Sequence, residues 1–480
     1  MTASNFSFYW HDYETFGATP RVDRPVQFAG IRTDAELNIL GDPLMIFCKP
    51  AEDYLPHPEA CLITGITPQQ ALREGVPEVE FITQIHQQLA LPGTCGVGYN
   101  SLRFDDEVTR FTLYRNFFDP YGREWQNGNS RWDIIDVLRL ARALRPEGIE
   151  WPLYEDGRPS LRLEDITRAN GLSHESAHDA LSDVYATIAI AKLLKQAQPK
   201  LFAYALKLRD KRVAAQMLDV VRMKPVLHVS SKFPVERFNT ALVVPLAMHP
   251  VNKNAVIVCD LSIDPTPLLQ LSAEQIAAKL YTSSADLAEG EQRIALKLVH
   301  LNKSPMLAPA NMLNKQEAER LSISGDICRT HLTLLRSAEG LANKVRAVFE
   351  QSDFEPLTDP DQMLYSGGFF GDSDKQAMTR IRNCQPERLG ELEPMFQDPR
   401  LEEMLFRFRA RNYPQTLESE DQQRWFDFCS QRLLEPGPNL LGFEQLYQRL
   451  NELGSDPLLP TDKLHILQEI AAYAESIYPA

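Results

Sequence analysis

Asp12 and Glu14 stand two apart in His11-Asp12-Tyr13-Glu14-Thr15-Phe16, directly after the aromatic run Phe6-Ser7-Phe8-Tyr9-Trp10. That run reads as a buried strand. Side chains alternate across a strand, so the two carboxylates point the same way. Like charges side by side repel unless a cation lies between them, and hard oxygen donors suit Mg²⁺ or Mn²⁺. Asp105, in Phe104-Asp105-Asp106-Glu107, falls where a loop hands over to a helix, a place that an ordinary helix cap also fills. A third segment, Ser176-Ala177-His178-Asp179-Ala180-Leu181-Ser182-Asp183, puts His178 and Asp183 five apart. On one regular helix they would project roughly 140° apart, so His178 must lie on the preceding loop for both to reach one point. His174 and Asp179 share that spacing. Leu181, Val184, Ile188 and Leu193 mark a buried side that Asp183 borders, and a carboxylate there needs a partner, which favours the later pair.

Together Asp12, Glu14, Asp105 and Asp183 can hold two divalent ions about 3.5–4 Å apart, one activating water and one stabilising the leaving oxygen of an in-line phosphoryl displacement. His178 can take the proton of the attacking water, because imidazole titrates close to neutrality.

The elements that must position these groups follow from patterning. Residues 6–50 predict three strands, then Thr67 caps a helix with Pro68 in its first position. Helices are expected over 81–89, 106–116, 131–145 and 178–196, with a short strand ending at Gly98-Tyr99-Asn100. This is an α/β domain with a mixed sheet, assigned to 1–198. Short β-prone runs between 222 and 310 predict a small β-rich barrel or sheet inside a second domain, 199–352. Residues 352–375, rich in Asp, Pro, Gly and Ser, read as a linker. Apolar residues at helical spacing over 401–411, 419–434, 440–453 and 461–477 make 353–480 a helical domain, with Thr461 as the cap of its last helix.

A chain of 480 residues suits two or three domains. Its net charge of −15 argues against a polyanionic partner until the distribution is considered. Residues 201–350 carry 19 Lys and Arg against 14 Asp and Glu, whereas both flanks are acidic. The basic middle could meet an anion or be a solvated surface. No apolar run is long enough for a membrane span, no signal peptide is evident, and the seven cysteines include no Cys-x-x-Cys. A reducing, cytoplasmic compartment is expected.

Asp12-Tyr13-Glu14-Thr15, Tyr99-Asn100 with Phe104-Asp105, and His178 with Asp183 resemble the three motifs of the DEDDh exonucleases. His11–Gly17, Arg103–Arg110, Asn129-Ser130-Arg131-Trp132-Asp133, Leu144–Ile149 and Ala410-Arg411-Asn412-Tyr413-Pro414 narrow the match to the bacterial exonuclease I family, over essentially the whole chain. The resemblance implies a ribonuclease-H-like catalytic domain, a barrel of the Src-homology type and a C-terminal helical domain. It implies a 3′→5′ exodeoxyribonuclease that degrades single-stranded DNA processively to 5′-mononucleotides in repair and recombination. Two Mg²⁺ ions, replaceable by Mn²⁺, would be its cofactor. It also suggests a protein partner, the acidic, apolar C-terminal tail of single-stranded DNA-binding protein.

Single strands are held by cations on phosphates and aromatics under bases. Residues 103–145 interleave both types, with most of the aromatics needed for the core. Tyr121 and Trp125, in a loop, are expected to stack on bases, while Arg110 and Arg139 are expected on helices near the metal site. By resemblance Arg162 holds a phosphate, and Glu14, Thr15 and Phe16 meet the 3′-terminal nucleotide. For the protein partner the candidates are Arg145, Tyr204, Arg222 and Lys224. A monomer is expected. The competing readings are RNA trimming on the same catalytic domain, and a non-catalytic strand-binding adaptor, which the intact set of acids and histidine disfavours.

Overall fold

The structure is a computed structural model that describes residues 6–174, 179–282, 293–350 and 357–479. The chain forms two compact units, one from Met1–Ser130, His174–Ile188 and Pro356–Ala480, the other from Arg131–Ser173 and Ala189–Glu355.

In the first unit, strands β1 (Ser7–Thr15), β2 (Pro25–Thr33), β3 (Ile39–Phe47) and β4 (Thr94–Gly98) lie in the order β3-β2-β1-β4. β1 pairs antiparallel with β2, Asp12 opposite Ala29 and Glu14 opposite Gln27, and parallel with β4. β1 is therefore central, which matches its aromatic character. One face of the sheet is covered by the helix Glu78–Leu89, whose Phe81, Ile82, Ile85 and Leu89 pack with Tyr9, Tyr13 and Phe28. Tyr9 and Tyr13 are odd positions of β1, so the even positions Asp12 and Glu14 belong to the opposite face.

The C-terminal helices share cores with the sheet domain. Phe16, Tyr54 and Leu55 pack with Leu433, Phe443, Leu446, Ile466 and Ile470. Phe111, Tyr114 and Phe117 pack with Leu364, Met378, Leu401 and Phe408. Each such fully buried side chain contributes about 1.5–3 kcal/mol. From residue 357 onward the expected linker is a structured segment instead. Residues 360–362 form a 3₁₀ turn, Asp361 is buried in ion pairs, and a helix starts at Asp372. Thr461 opens a 3₁₀ turn ahead of the last helix, Leu464–Ser476, rather than capping it.

The second unit carries an antiparallel five-stranded sheet. Its strands run Met306–Pro309, Val226–Val229, Thr240–Met248, Ala255–Asp260 and Leu296–His300 in spatial order. Val226, Val243, Val256, Val258 and Leu307 form its core with Ala214 and Leu218. Helices Thr266–Gln270 and Ala273–Tyr281 interrupt the β-rich run, and helices continue from Lys315 to Val348, a region whose pattern was not anticipated. Among the described residues no helix is long and apolar enough to cross a membrane.

Candidate active site

Asp12, Glu14 and Asp183 each bring a carboxylate oxygen within 4.8 Å of the others. Asp12 and Glu14 come from β1, whose pairing with β2 shifts register between Glu14 and Thr15. Such a bulge bends a strand and re-aims its side chains. Asp183 comes from the first turn of the helix Ala180–Ala197, whose start is capped by Asp179 accepting from the Ser182 amide at 3.1 Å.

Asp105 opens the helix Asp105–Arg115 and is 3 % exposed. Its Oδ1 accepts the Tyr13 amide at 3.0 Å, which ties it to the strand bearing the other two acids. It is not part of the three-oxygen cluster, yet its charge acts on both Asp12 and Glu14. Burial pushes the Asp12 carboxyl well up, and Asp105, Glu14 and Asp183 add to that. Burial, then Asp183 and Asp105, push Glu14 up to about 8. Asp179 contributes least to both shifts.

Oxygen-only donors packed this closely and carrying unbalanced negative charge fit a hard divalent cation. His178, the expected base, lies outside the described residues. His174, the member of the disfavoured pair, places Nε2 2.6 Å from Asp183 Oδ1.

The expected substrate residues fall into exposed and enclosed groups. Trp125 is 66 % exposed. Tyr121 lies edge-on to Phe369, which is 86 % exposed, and under the Arg110 guanidinium. Arg110 is buried and engaged, with Nε and Nη2 on the two Glu124 oxygens at 2.7 and 2.8 Å and Nη1 on Glu107 and the Tyr365 hydroxyl. Tyr365 and Phe369 were missed because they sit in the segment read as a linker. Thr15 donates to the Gly17 carbonyl at 2.6 Å. The Phe16 ring is wholly enclosed, so what Phe16 offers the site is its backbone, whose carbonyl accepts from the Tyr54 hydroxyl and the His57 amide.

In the second unit Arg139 pairs with Asp136 at 2.6 Å, and Arg162, largely exposed, precedes the helix Leu163–Ala169. Arg145 meets Glu317 at 3.2 Å, Tyr204 donates to the Leu307 carbonyl, and exposed Arg222 meets Asp219. Lys224 precedes Pro225, which lines a cleft of about 880 Å³ together with Leu242, Lys315, Arg329 and Leu332.

A mixed sheet with a carboxylate cluster on its central strand and a further acid on a following helix defines a nuclease of the cation-assisted class. Comparison with known proteins narrows the class. Residues 9–191 match the exonuclease family model, 209–351 the exonuclease I SH3-like domain and 358–477 the exonuclease I C-terminal domain. The chain is 48 % identical over 472 residues to exodeoxyribonuclease I of Escherichia coli, covering 98 % of each. It is similar to the structure of a moderately thermophilic exonuclease I from Methylocaldum szegediense, with TM-score 0.94, 53 % identity and coverage of 98 % and 99 %. It is equally similar, with TM-score 0.94, 47 % identity and coverage of 98 % and 100 %, to E. coli exonuclease I in complex with a dA16 oligonucleotide. It also resembles a zinc-bound complex of E. coli exonuclease I with single-stranded DNA and a complex of SSB and exonuclease I with an inhibitor, at TM-scores of 0.93 and 0.90. The chain belongs to the exonuclease I family and is an exonuclease.

Proposed function

We propose that this protein is a 3′→5′ exodeoxyribonuclease that degrades single-stranded DNA processively to 5′-mononucleotides, acting in DNA repair and recombination. The observation that carries the reading is the convergence of Asp12, Glu14 and Asp183 to within 4.8 Å, with burial and mutual repulsion that push Asp12 and Glu14 up. The oligonucleotide complexes of the E. coli relative support the substrate class.

Asp12, Glu14, Asp105 and Asp183 would hold two Mg²⁺ ions, with Mn²⁺ as a substitute. When bound, the cations supply Lewis-acid activation of water and neutralise charge on the scissile phosphate. The chain's own residues do the rest. His178 accepts the proton of the attacking water. Glu14 and Thr15 face the terminal nucleotide, with the Phe16 backbone fixing the bend behind them. Trp125 and Tyr121 stack on bases, each stacked base being worth about 1–3 kcal/mol. Arg162 and Arg139 meet phosphates, and Arg110 orients Tyr121 from below.

The domains are assigned as 1–198, 199–352 and 353–480, in a cytoplasmic monomer. Arg145, Tyr204, Arg222 and Lys224 would receive the acidic, apolar C-terminal tail of single-stranded DNA-binding protein. The apolar and basic residues of the cleft beside Lys224, and the complex of SSB with a similar exonuclease I, support that assignment.

Magnesium-dependent digestion of 3′- and 5′-labelled single-stranded DNA, duplex DNA and RNA of matched sequence tests the reading. Mononucleotide release from the 3′ end of single-stranded DNA alone is the expected result. Release from the 5′ end, or equal action on RNA, would overturn it.

A further inference from the structure

Asp183 is the one cluster acid that is not on the central strand. It stands on a helix turn with its backbone engaged, its amide donating to the Asp179 carbonyl and its carbonyl accepting from Thr187. Its side chain is met by His174, whose Nε2 lies 2.6 Å from Asp183 Oδ1 and whose side chain is 5 % exposed. A carboxylate that binds a cation must be ionised, so it can only accept in this contact and Nε2 must carry the hydrogen. A carboxylate held at one oxygen presents the other in a set direction. Hydrogen bonds of this kind orient metal-binding side chains, and their loss typically costs about 10–100-fold in metal affinity.

We infer that His174 is a positioning residue that aims the Asp183 carboxylate at the cation shared with Asp12 and Glu14. This rests on the cation reading above and adds a residue to it. The geometry separates His174 from the proton-accepting role given to His178, because His174 directs its hydrogen at a ligand and has none to accept there. Its imidazole also draws off part of the negative charge that Asp183 exerts on Glu14, where Asp183 is the strongest of the neighbouring charges.

The test is calorimetric titration of the cation-free full chain with Mn²⁺ in the absence of DNA. His174→Ala is expected to bind Mn²⁺ about 10–100-fold more weakly than the wild type. The amide nitrogen of His174→Gln reaches the position of Nε2 and is expected to restore most of the affinity. His174→Asn, one bond shorter, is not. Strand binding in EDTA should be unchanged in all three, and kcat should fall while KM for the strand does not. Equal Mn²⁺ affinity in wild type and His174→Ala would overturn the inference. So would equal weakening in the Ala, Asn and Gln variants, which would mark His174 as packing only. If His174→Ala fails to fold, the Gln and Asn pair decides alone. A wild type that binds no Mn²⁺ would sink the cation reading itself.

Discussion

The first unit buries two clusters of acids that differ in one respect, and that difference separates chemistry from architecture. Asp12, Glu14 and Asp183 converge, Asp105 is tied to the same strand, and their surroundings push Asp12 and Glu14 up. Asp53 and Asp361 are enclosed and Asp359 partly so, but each is matched by arginine. Arg411 bridges Asp53 at 2.7 Å and Asp361 at 2.6 Å, Arg407 reaches Asp359 and Asp361, and Arg432 reaches Asp359 at 2.8 Å. Burial alone would raise Asp53, yet Arg411, Arg24 and Arg432 outweigh it and hold it well below the usual carboxylate range. Asp361 behaves the same way. The second cluster is neutralised by the chain and joins residue 53 to the C-terminal helices. In the first, Asp12 and Glu14 are raised rather than lowered, the direction that a bound cation would reverse.

The sharpest way to break this contrast is to remove one acid from each cluster. Asp12→Ala or Asp183→Ala should lower Mg²⁺-dependent cleavage by about 10³-fold or more, since the lost charge stabilisation amounts to several kcal/mol. Strand binding in EDTA should persist. Asp12→Ala should also raise the melting temperature of the cation-free protein, because it relieves repulsion. Asp361→Ala should lower it. A fall in cation-free stability for Asp12→Ala would show that the open cluster is balanced after all.

Next in size is Arg411→Ala. Removing it leaves Asp53 and Asp361 buried with a partner missing, a change that costs about 3–5 kcal/mol. Urea unfolding should show this loss, while kcat at saturating DNA, measured where the variant is fully folded, stays near the wild-type value. A large kcat loss without a stability loss would assign the network to the chemistry.

The two clusters were also unequally legible in the sequence. Asp12 and Glu14 follow from the two-residue period of a strand, and Asp183 from the apolar stripe of its helix. Local patterns carry such information because neighbouring residues determine which side a side chain faces. The arginine network was hidden because its paired members lie from 46 to 358 positions apart, beyond the reach of any local pattern. An Asp in a Pro- and Ser-rich stretch has the same composition whether solvated or paired, so Asp359 and Asp361 were read as linker. His174 was weighed against Asp179, five residues on, by helical spacing. The helix begins only at Ala180, and a histidine ahead of it can meet Asp183 instead. The shared cores that bury Phe16 against the last helices were equally invisible to periodicity, which shows that a face is apolar but not what covers it.

The smallest effect, and the one that compares the clusters within one molecule, is the pH dependence of stability. A carboxyl raised on folding holds its proton more tightly in the native state. Its contribution is complete below its unfolded value, 4.5 for Glu14, and is lost as pH climbs through the folded value, about 8. Asp53 and Asp361 are lowered, so theirs is present above 3.8 and lost only as pH falls through their folded values. Between pH 5 and 8 the open cluster therefore titrates while the arginine network stays constant. Other groups overlap this window. His57, raised by its bond to Asp23, slopes the same way, whereas His11 and His86, each lowered to about 4 by burial, slope the opposite way up to 6.5. The difference between wild type and Glu14→Gln cancels them. In EDTA that difference should turn against the wild type as pH rises from 5 to 8. With Mn²⁺ the sign should reverse, because cation binding releases the protons and strengthens with pH. Melting curves of both proteins across that range, with and without Mn²⁺, check it, and parallel wild-type and variant curves in EDTA would mean that Glu14 is ionised without any ion to hold it.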